Sequence, residues 1–124
     1  MIFPEGTTTN GTCLIKFNKG AFVHQRSVMP VILRYPYQYH NPSTPRDMGA
    51  AKFPHLIFMF LQFTTNVIIE YLPLYNPTSE EKANPQLYAS NVQKLMAKEL
   101  NVPCYDVYYQ DKYDYYFGNK NKKD

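Results

Sequence analysis

The chain has 124 residues, 44% of them hydrophobic and 19% charged, and carries a formal net charge of +3. That is enough for one domain with an ordinary core, and the apolar content excludes disorder along the whole length. The charge is too small and too evenly spread for a nucleic-acid footprint. Twelve tyrosines and eight phenylalanines stand against no tryptophan, and ten prolines against five glycines point to stiff, extended connections. The two cysteines, Cys13 and Cys104, lack a C-x-x-C spacing and read as free thiols in a reducing compartment. His24, His40 and His55 are isolated, and no calcium-loop pattern occurs, so no metal is expected.

In chain order, Ile2 and Phe3 read as the end of a buried strand stopped at Pro4. Cys13, Leu14 and Phe17 fall at helical spacing and predict a short helix from Thr12 to Lys19, with Asn10 or Thr12 near its N-cap and Gly20 at its stop. The β-branched run VMPVILRYPY predicts a strand from Val28 to Tyr37, and YHNPSTPRDMG a loop. Ala50 to Thr65 reads as a helix with Phe53, Leu56, Ile57, Phe60, Leu61 and Phe63 along it. That stripe is either core or the apolar face of an interfacial helix lying in a headgroup layer. The apolar run Leu56 to Leu61 is far short of the roughly 20 residues that cross a bilayer.

Asn66 to Leu72 predicts a strand, and PLYNPTSEEKANP a proline-pinned loop. Asn84 as N-cap with Pro85 at the first helical position opens the surest helix, which ends near Asn101. Tyr88, Val92, Leu95, Met96 and Leu100 form its inward stripe, with Lys94, Lys98 and Glu99 outward. A tyrosine-rich segment follows Val102, and residues 115–124 form a polar, basic tail expected to be disordered. Strand, helix, strand, helix, strand, helix is the order of an α/β protein with crossovers onto a mostly parallel sheet. With about two complete strands, that sheet would be incomplete.

The stretch FPEGTTTNGT carries the chemical handles. A glycine turn followed by hydroxyl residues directs backbone N–H groups outward, which suits an anion or a developing oxyanion. Glu5, as a carboxylate, would repel a phosphate but could accept from a substrate hydroxyl or pair with an arginine that holds one. The plainer reading is that Glu5 and the threonines cap a helix. Arg34 sits inside VILRYP, either on a solvent face or at the functional end of a strand, with Lys16 adding positive charge nearby. No Ser-His-Asp or Cys-His arrangement can be assembled from the histidine positions.

FPEGT at Phe3 to Thr7 resembles the third conserved block of the glycerolipid acyltransferases, and Pro30 in VMPVILRYP falls where their fourth block stands. The longer stretches PEGTTTNGTCLIKFNKGAF and EEKANPQLYASNVQKLMAKELNVP are similar to the lysophosphatidylcholine acyltransferase branch. The resemblance implies transfer of an acyl group from acyl-CoA, as co-substrate with no further cofactor, to a lysophospholipid at a membrane surface. It implies acceptor binding by Glu5, Gly6 and Thr7 and an acyl-CoA-side role for Pro30, while charge and position alone make Arg34 and Lys16 candidate anion contacts. The implied fold is the C-terminal part of a glycerol-3-phosphate acyltransferase-like αβ sandwich over residues 1–114. The family's H-x-x-x-x-D block, whose histidine is the general base, has no counterpart: Met29, Pro45 and Phe60 stand five places after His24, His40 and His55. By the resemblance the chain starts within the catalytic domain, is inactive alone and needs a partner segment, and KNKKD resembles an endoplasmic-reticulum retrieval signal. The alternative is a non-catalytic module that binds lipid or a partner.

Overall fold

The protein is described from a computed structural model, which describes residues 1–7, 9, 11–36, 52–61, 64, 66–108 and 111. Its regular elements are β1 (Val31–Arg34), α1 (Lys52–Leu61), β2 (Ile68–Tyr71), α2 (Ser79–Ala83) and α3 (Pro85–Leu100), with a 3-10 turn at Lys19–Ala21.

The helix α3 organises the rest. Asn84 stops short of helical geometry and its side chain accepts from the Gln86 and Leu87 N–H groups, while Pro85 has no N–H to satisfy at the first position. Asn101 ends the helix in the left-handed conformation, at φ 56°, and its N–H returns to the Ala97 and Lys98 carbonyls. Lys94, Lys98 and Glu99 are exposed, as the sequence predicts. The opposite face buries Tyr88, Ala89, Val92 and Ala97 against Leu14, Phe17 and Phe22.

The predicted helix from Thr12 to Lys19 does not form. Leu14 instead bridges Cys104 in parallel, with the Leu14 N–H donating to Pro103 O at 3.0 Å and the Tyr105 N–H to Leu14 O at 2.9 Å. Pairing with a distant extended segment supplies the backbone partners that a helix would have supplied locally. Leu14 and Phe17 are still buried. Asn10 lies outside the described residues. Ile2 and Phe3 are not strand either, and their side chains are 66% and 65% exposed.

β1 and β2 pair antiparallel, with Ile32 opposite Glu70 and Arg34 opposite Ile68. This pair therefore departs from the mostly parallel sheet that the element order suggested; α1 connects neighbours that run in opposite directions. Pro30 accepts from the Leu72 N–H at 2.9 Å, and Val28 bridges Tyr75, so the two segments stay paired beyond the regular strands. The predicted strand is thus confirmed in its middle, while Tyr37 lies outside the described residues.

α1 confirms a helix at Lys52–Leu61, but its stripe is not core in this chain. Phe53, Leu56, Ile57, Phe60 and Leu61 are all exposed, Phe60 to 81%; Phe63 lies outside the described residues. His55 is the exception and is buried. At ten residues, α1 reaches about 15 Å, half a bilayer core. Among the described residues no helix is long and apolar enough to cross a membrane. β2 is similarly bare, with Ile68, Ile69 and Tyr71 exposed.

α2 lies inside what the sequence reads as a proline-pinned loop. Its signature is Thr78-Ser79-Glu80-Glu81, a capping box: the Thr78 N–H donates to Glu81 Oε2 at 2.7 Å, and the Glu81 N–H to Thr78 Oγ1 at 3.3 Å. Glu81 also accepts from Tyr75 Oη and Asn91 Nδ2, both at 2.6 Å. Burial alone pushes its carboxyl up, but these hydrogen bonds outweigh burial and hold it below the usual range. Reciprocally, the Glu81 carboxylate, with burial, pushes the Tyr75 hydroxyl up to about 12. Cys13 and Cys104 are free thiols.

Candidate functional site

The N-terminal segment is fixed by a turn. The Gly6 N–H donates to Phe3 O at 3.2 Å, closing a turn with Pro4 and Glu5 at its centre, and the Asn18 N–H donates to Pro4 O at 2.8 Å. Gly6 has φ +69°, the left-handed region where a side chain costs about 1–2 kcal/mol. A Cβ there would also lie 2.9 Å from Asn18 Nδ2. Gly6→Ala is therefore expected to lower unfolding free energy by about 1–2 kcal/mol in denaturant titration. A change within about 0.5 kcal/mol, the range of an ordinary surface substitution, would contradict this strain.

This turn places Glu5 on the wall of an open cleft of about 1310 Å³. Four of the sequence-predicted site residues line it together: Glu5, Thr7, Pro30 and Arg34. Met1, Ile2 and Phe3 form one lip, β1 another wall, and Val92, Met96 and Leu100 of α3 a third, with Met59 of α1 also contributing. The lining is largely hydrocarbon, as expected for a pocket with few polar anchors. Among the described residues, no three or more His, Cys, Asp or Glu side chains are grouped to hold a metal ion.

Glu5 is the polar anchor. Its Oε2 is shielded from solvent and has no hydrogen-bond partner among the described residues. Desolvation raises its pKa from 4.5 to about 7, against the opposing effect of a backbone hydrogen bond from Ile15. At neutral pH the group is thus divided between a neutral acid, which can donate, and a carboxylate, which only accepts. The like-charge objection to a phosphate contact therefore weakens: the neutral form meets an anion without repulsion and with a proton to offer. A buried polar atom without a partner is costly, and a hydroxyl or phosphate of a bound molecule would relieve that cost.

The two cations read from the sequence as anion contacts already hold partners. Arg34 Nε donates to Glu70 Oε2 at 3.2 Å, and Nη2 to the Glu99 carbonyl at 2.9 Å near the C-terminal end of α3. It lies on the cleft wall but is engaged with the sheet and the helix end. Lys16 is absent from the cleft lining. Its Nζ lies 2.6 Å from Asp106 and 4.6 Å from the centre of the Tyr108 ring. The Asp106 hydrogen bond raises its pKa, partly offset by burial. Gly6 shapes the turn rather than the cleft wall. Pro30 is buried where β1 enters the cleft wall.

Sequence reasoning missed the Ile15 N–H on Glu5, the Asn18 brace and Gln93, which is buried and donates to the Ile15 carbonyl at 3.0 Å. Gln93 did leave a signal. It falls beside Val92 on the buried side of α3, and a polar side chain there requires a partner.

No family model matches the chain, and no solved structure matches it. Curated relatives do. The chain is 50% identical over 112 residues to Lysophosphatidylcholine acyltransferase 1 of Rattus norvegicus, covering 90% of this chain and 21% of that protein. It is 44% identical over 116 residues to Lysophospholipid acyltransferase LPEAT1 of Arabidopsis thaliana, covering 94% of this chain and 28% of that protein. A Lysophosphatidylcholine acyltransferase of Drosophila melanogaster is 44% identical over 111 residues, with 90% and 21% covered. The chain therefore spans between 21% and 28% of the length of these relatives. Along nine-tenths of its own length, this chain is similar to the lysophosphatidylcholine acyltransferases, the branch that its PEGTTTNGTCLIKFNKGAF and closing-helix stretches resemble.

Proposed function

We propose that the chain supplies the acceptor side of a lysophospholipid acyltransferase site, in which an acyl group passes from acyl-CoA to a lysophospholipid hydroxyl. The observation that carries this reading is Glu5: a carboxyl on an apolar cleft with a solvent-shielded oxygen that has no partner among the described residues. A lysophospholipid has the matching parts, a polar glycerophosphate end and a long hydrocarbon chain. Glu5 and Thr7 would meet the polar end, Gly6 would hold the turn that presents them, and Pro30 would bound the acyl-CoA side. The names and identities of the relatives support the reaction class.

Within this reading the architecture is the C-terminal part of an acyltransferase αβ sandwich. The chemical step needs a general base to take the acceptor hydroxyl proton as the oxygen attacks the thioester carbonyl and coenzyme A leaves. No histidine here has an aspartate at the spacing of the family's block, so that pair would come from another segment. The chain alone is then expected to be inactive, and robust acyl-CoA-dependent acylation by the purified 124 residues would contradict this part. The bare apolar surface of α1 supports work at a membrane surface, with the endoplasmic reticulum as the proposed site. The same surface is what favours the second reading, a non-catalytic module that docks on lipid or on a partner.

Binding separates the two. Titrating monomeric lysophosphatidylcholine into the isotope-labelled chain is expected to shift backbone resonances of Glu5, Thr7 and Arg34. Shifts confined to α1, with the cleft unmoved, would overturn the acceptor-site reading in favour of the docking module.

A further inference from the structure

We propose that Gln93, on the buried side of α3, is a positioning residue that holds the Leu14–Ile15 peptide so that the Ile15 N–H stays on the Glu5 carboxylate. Its interest rests on the acceptor-site reading of Glu5; the linkage itself joins the Gln93 contacts on Leu14 and Ile15 to the Ile15 backbone hydrogen bond on Glu5. Gln93 is 4% exposed and brings its carboxamide to the seam between two extended segments. Its Nε2 lies 3.0 Å from Ile15 O, 3.4 Å from Tyr105 O and 3.5 Å from Leu14 O. The same seam is closed by the Tyr105 N–H donating to Leu14 O at 2.9 Å and the Leu14 N–H to Pro103 O at 3.0 Å.

The peptide plane transmits the effect. Leu14 C=O and Ile15 N–H belong to one trans unit and point in opposite directions. Holding Leu14 O against Tyr105 and Gln93 therefore aims the Ile15 N–H the other way, where the Glu5 carboxylate accepts it. The stronger contact, to Ile15 O, fixes the next peptide unit. An apolar residue at position 93 would leave the Ile15 carbonyl without this donor and Leu14 O with the Tyr105 N–H alone, loosening the hold on both peptide units.

Burial and the Ile15 N–H are the two influences on Glu5 titration, and no charged neighbour contributes among the described residues. Because that N–H favours the charged form, loosening it must move Glu5 titration upward. The test uses the 124-residue chain with its side-chain carboxyl carbons followed by NMR. In wild type, Glu5 is expected to titrate near 7. In Gln93→Met, which keeps length and apolar bulk, the midpoint is expected to rise by roughly half a unit or more. Exchange of the Ile15 amide should quicken while the amides of the α3 core stay protected.

A folded Gln93→Met chain with an unchanged Glu5 midpoint and unchanged Ile15 protection would overturn the proposal. Should Gln93→Met not fold, the wild-type chain decides. The Ile15 amide and the Gln93 side-chain amide are both expected to shift with the Glu5 midpoint, and a Gln93 amide that stays still overturns the link. None of these readouts involves lipid or acyl transfer, so they stand or fall separately from the acceptor-site reading.

Discussion

Glu5→Gln is expected to raise the thermal midpoint of the chain above pH 7 and to leave it nearly unchanged at pH 4. The folded-state pKa of Glu5 is raised from 4.5 to about 7 by burial. Between those values the native state binds more protons than the unfolded state, so stability contributed through Glu5 falls as pH rises. Below 4.5 both states are protonated and the effect vanishes. Glutamine keeps a carbonyl for the Ile15 N–H but never ionises, so the penalty is absent at every pH. Glu81 works in the opposite direction: its lowered pKa gives stability that is lost on acidification. The wild-type minus Glu5→Gln difference across pH isolates the Glu5 part. A difference that does not vary with pH would remove the buried, raised-pKa carboxyl from the account. A residue kept at the expense of stability is a residue kept for another reason, and acceptor binding is the reason proposed here.

The largest loss of stability is expected at Tyr88. Its ring is fully buried, meets Phe22 edge-on at 4.9 Å and stacks on Tyr75 at 5.6 Å. Its hydroxyl donates to the Arg26 carbonyl at 3.0 Å and so ties α3 to the chain leading into β1. Tyr88→Ala removes the ring and leaves a cavity, at a cost of about 3–5 kcal/mol. That is comparable to much of the stability of a typical domain. Tyr88→Phe keeps the ring and loses only the Arg26 contact, at about 1 kcal/mol. Chemical denaturation separates the cases; a Tyr88→Ala loss below about 1.5 kcal/mol would show that this ring is not the centre of the core.

Which parts of this fold were readable depended on where the controlling partners lie. α3 announces itself because Asn84, Pro85 and the Tyr88–Val92 spacing act within one helix. α2 was also announced, by Thr78 and Glu81, but the flanking prolines disguised it as loop. The segment from Thr12 to Lys19 misled because helical spacing of Cys13, Leu14 and Phe17 also fits an irregular extended chain. Its partners, Pro103, Tyr105 and Val107, are about ninety residues away. The antiparallel direction of β1 and β2 is likewise a long-range fact that element order does not carry.

The site shows the same division. FPEGT marks Glu5 as a chemical handle, and the cleft gathers Glu5, Thr7, Pro30 and Arg34 from separate stretches. Burial of the Glu5 carboxyl is set by its surroundings in the fold and was not legible. Nor was the engagement of Arg34 with Glu70 and the Glu99 carbonyl, which makes it a tie between sheet and helix at the cleft wall. α1 was readable as a helix, while its exposure depends on what else packs against it.

The central claim is that this chain carries the acceptor side of a lysophospholipid acyltransferase site anchored on Glu5. The most direct test exchanges the chain for the matched 112-residue segment of rat Lysophosphatidylcholine acyltransferase 1. Transfer from acyl-CoA to lysophosphatidylcholine is then measured in membranes holding equal amounts of folded protein. An active chimera is expected, and Glu5→Gln in it is expected to cost about ten- to a hundredfold in activity, the scale of one hydrogen bond to a charged group. Lys82→Ala, an exposed change on α2, should leave activity intact. An active chimera that is indifferent to Glu5→Gln would contradict the account.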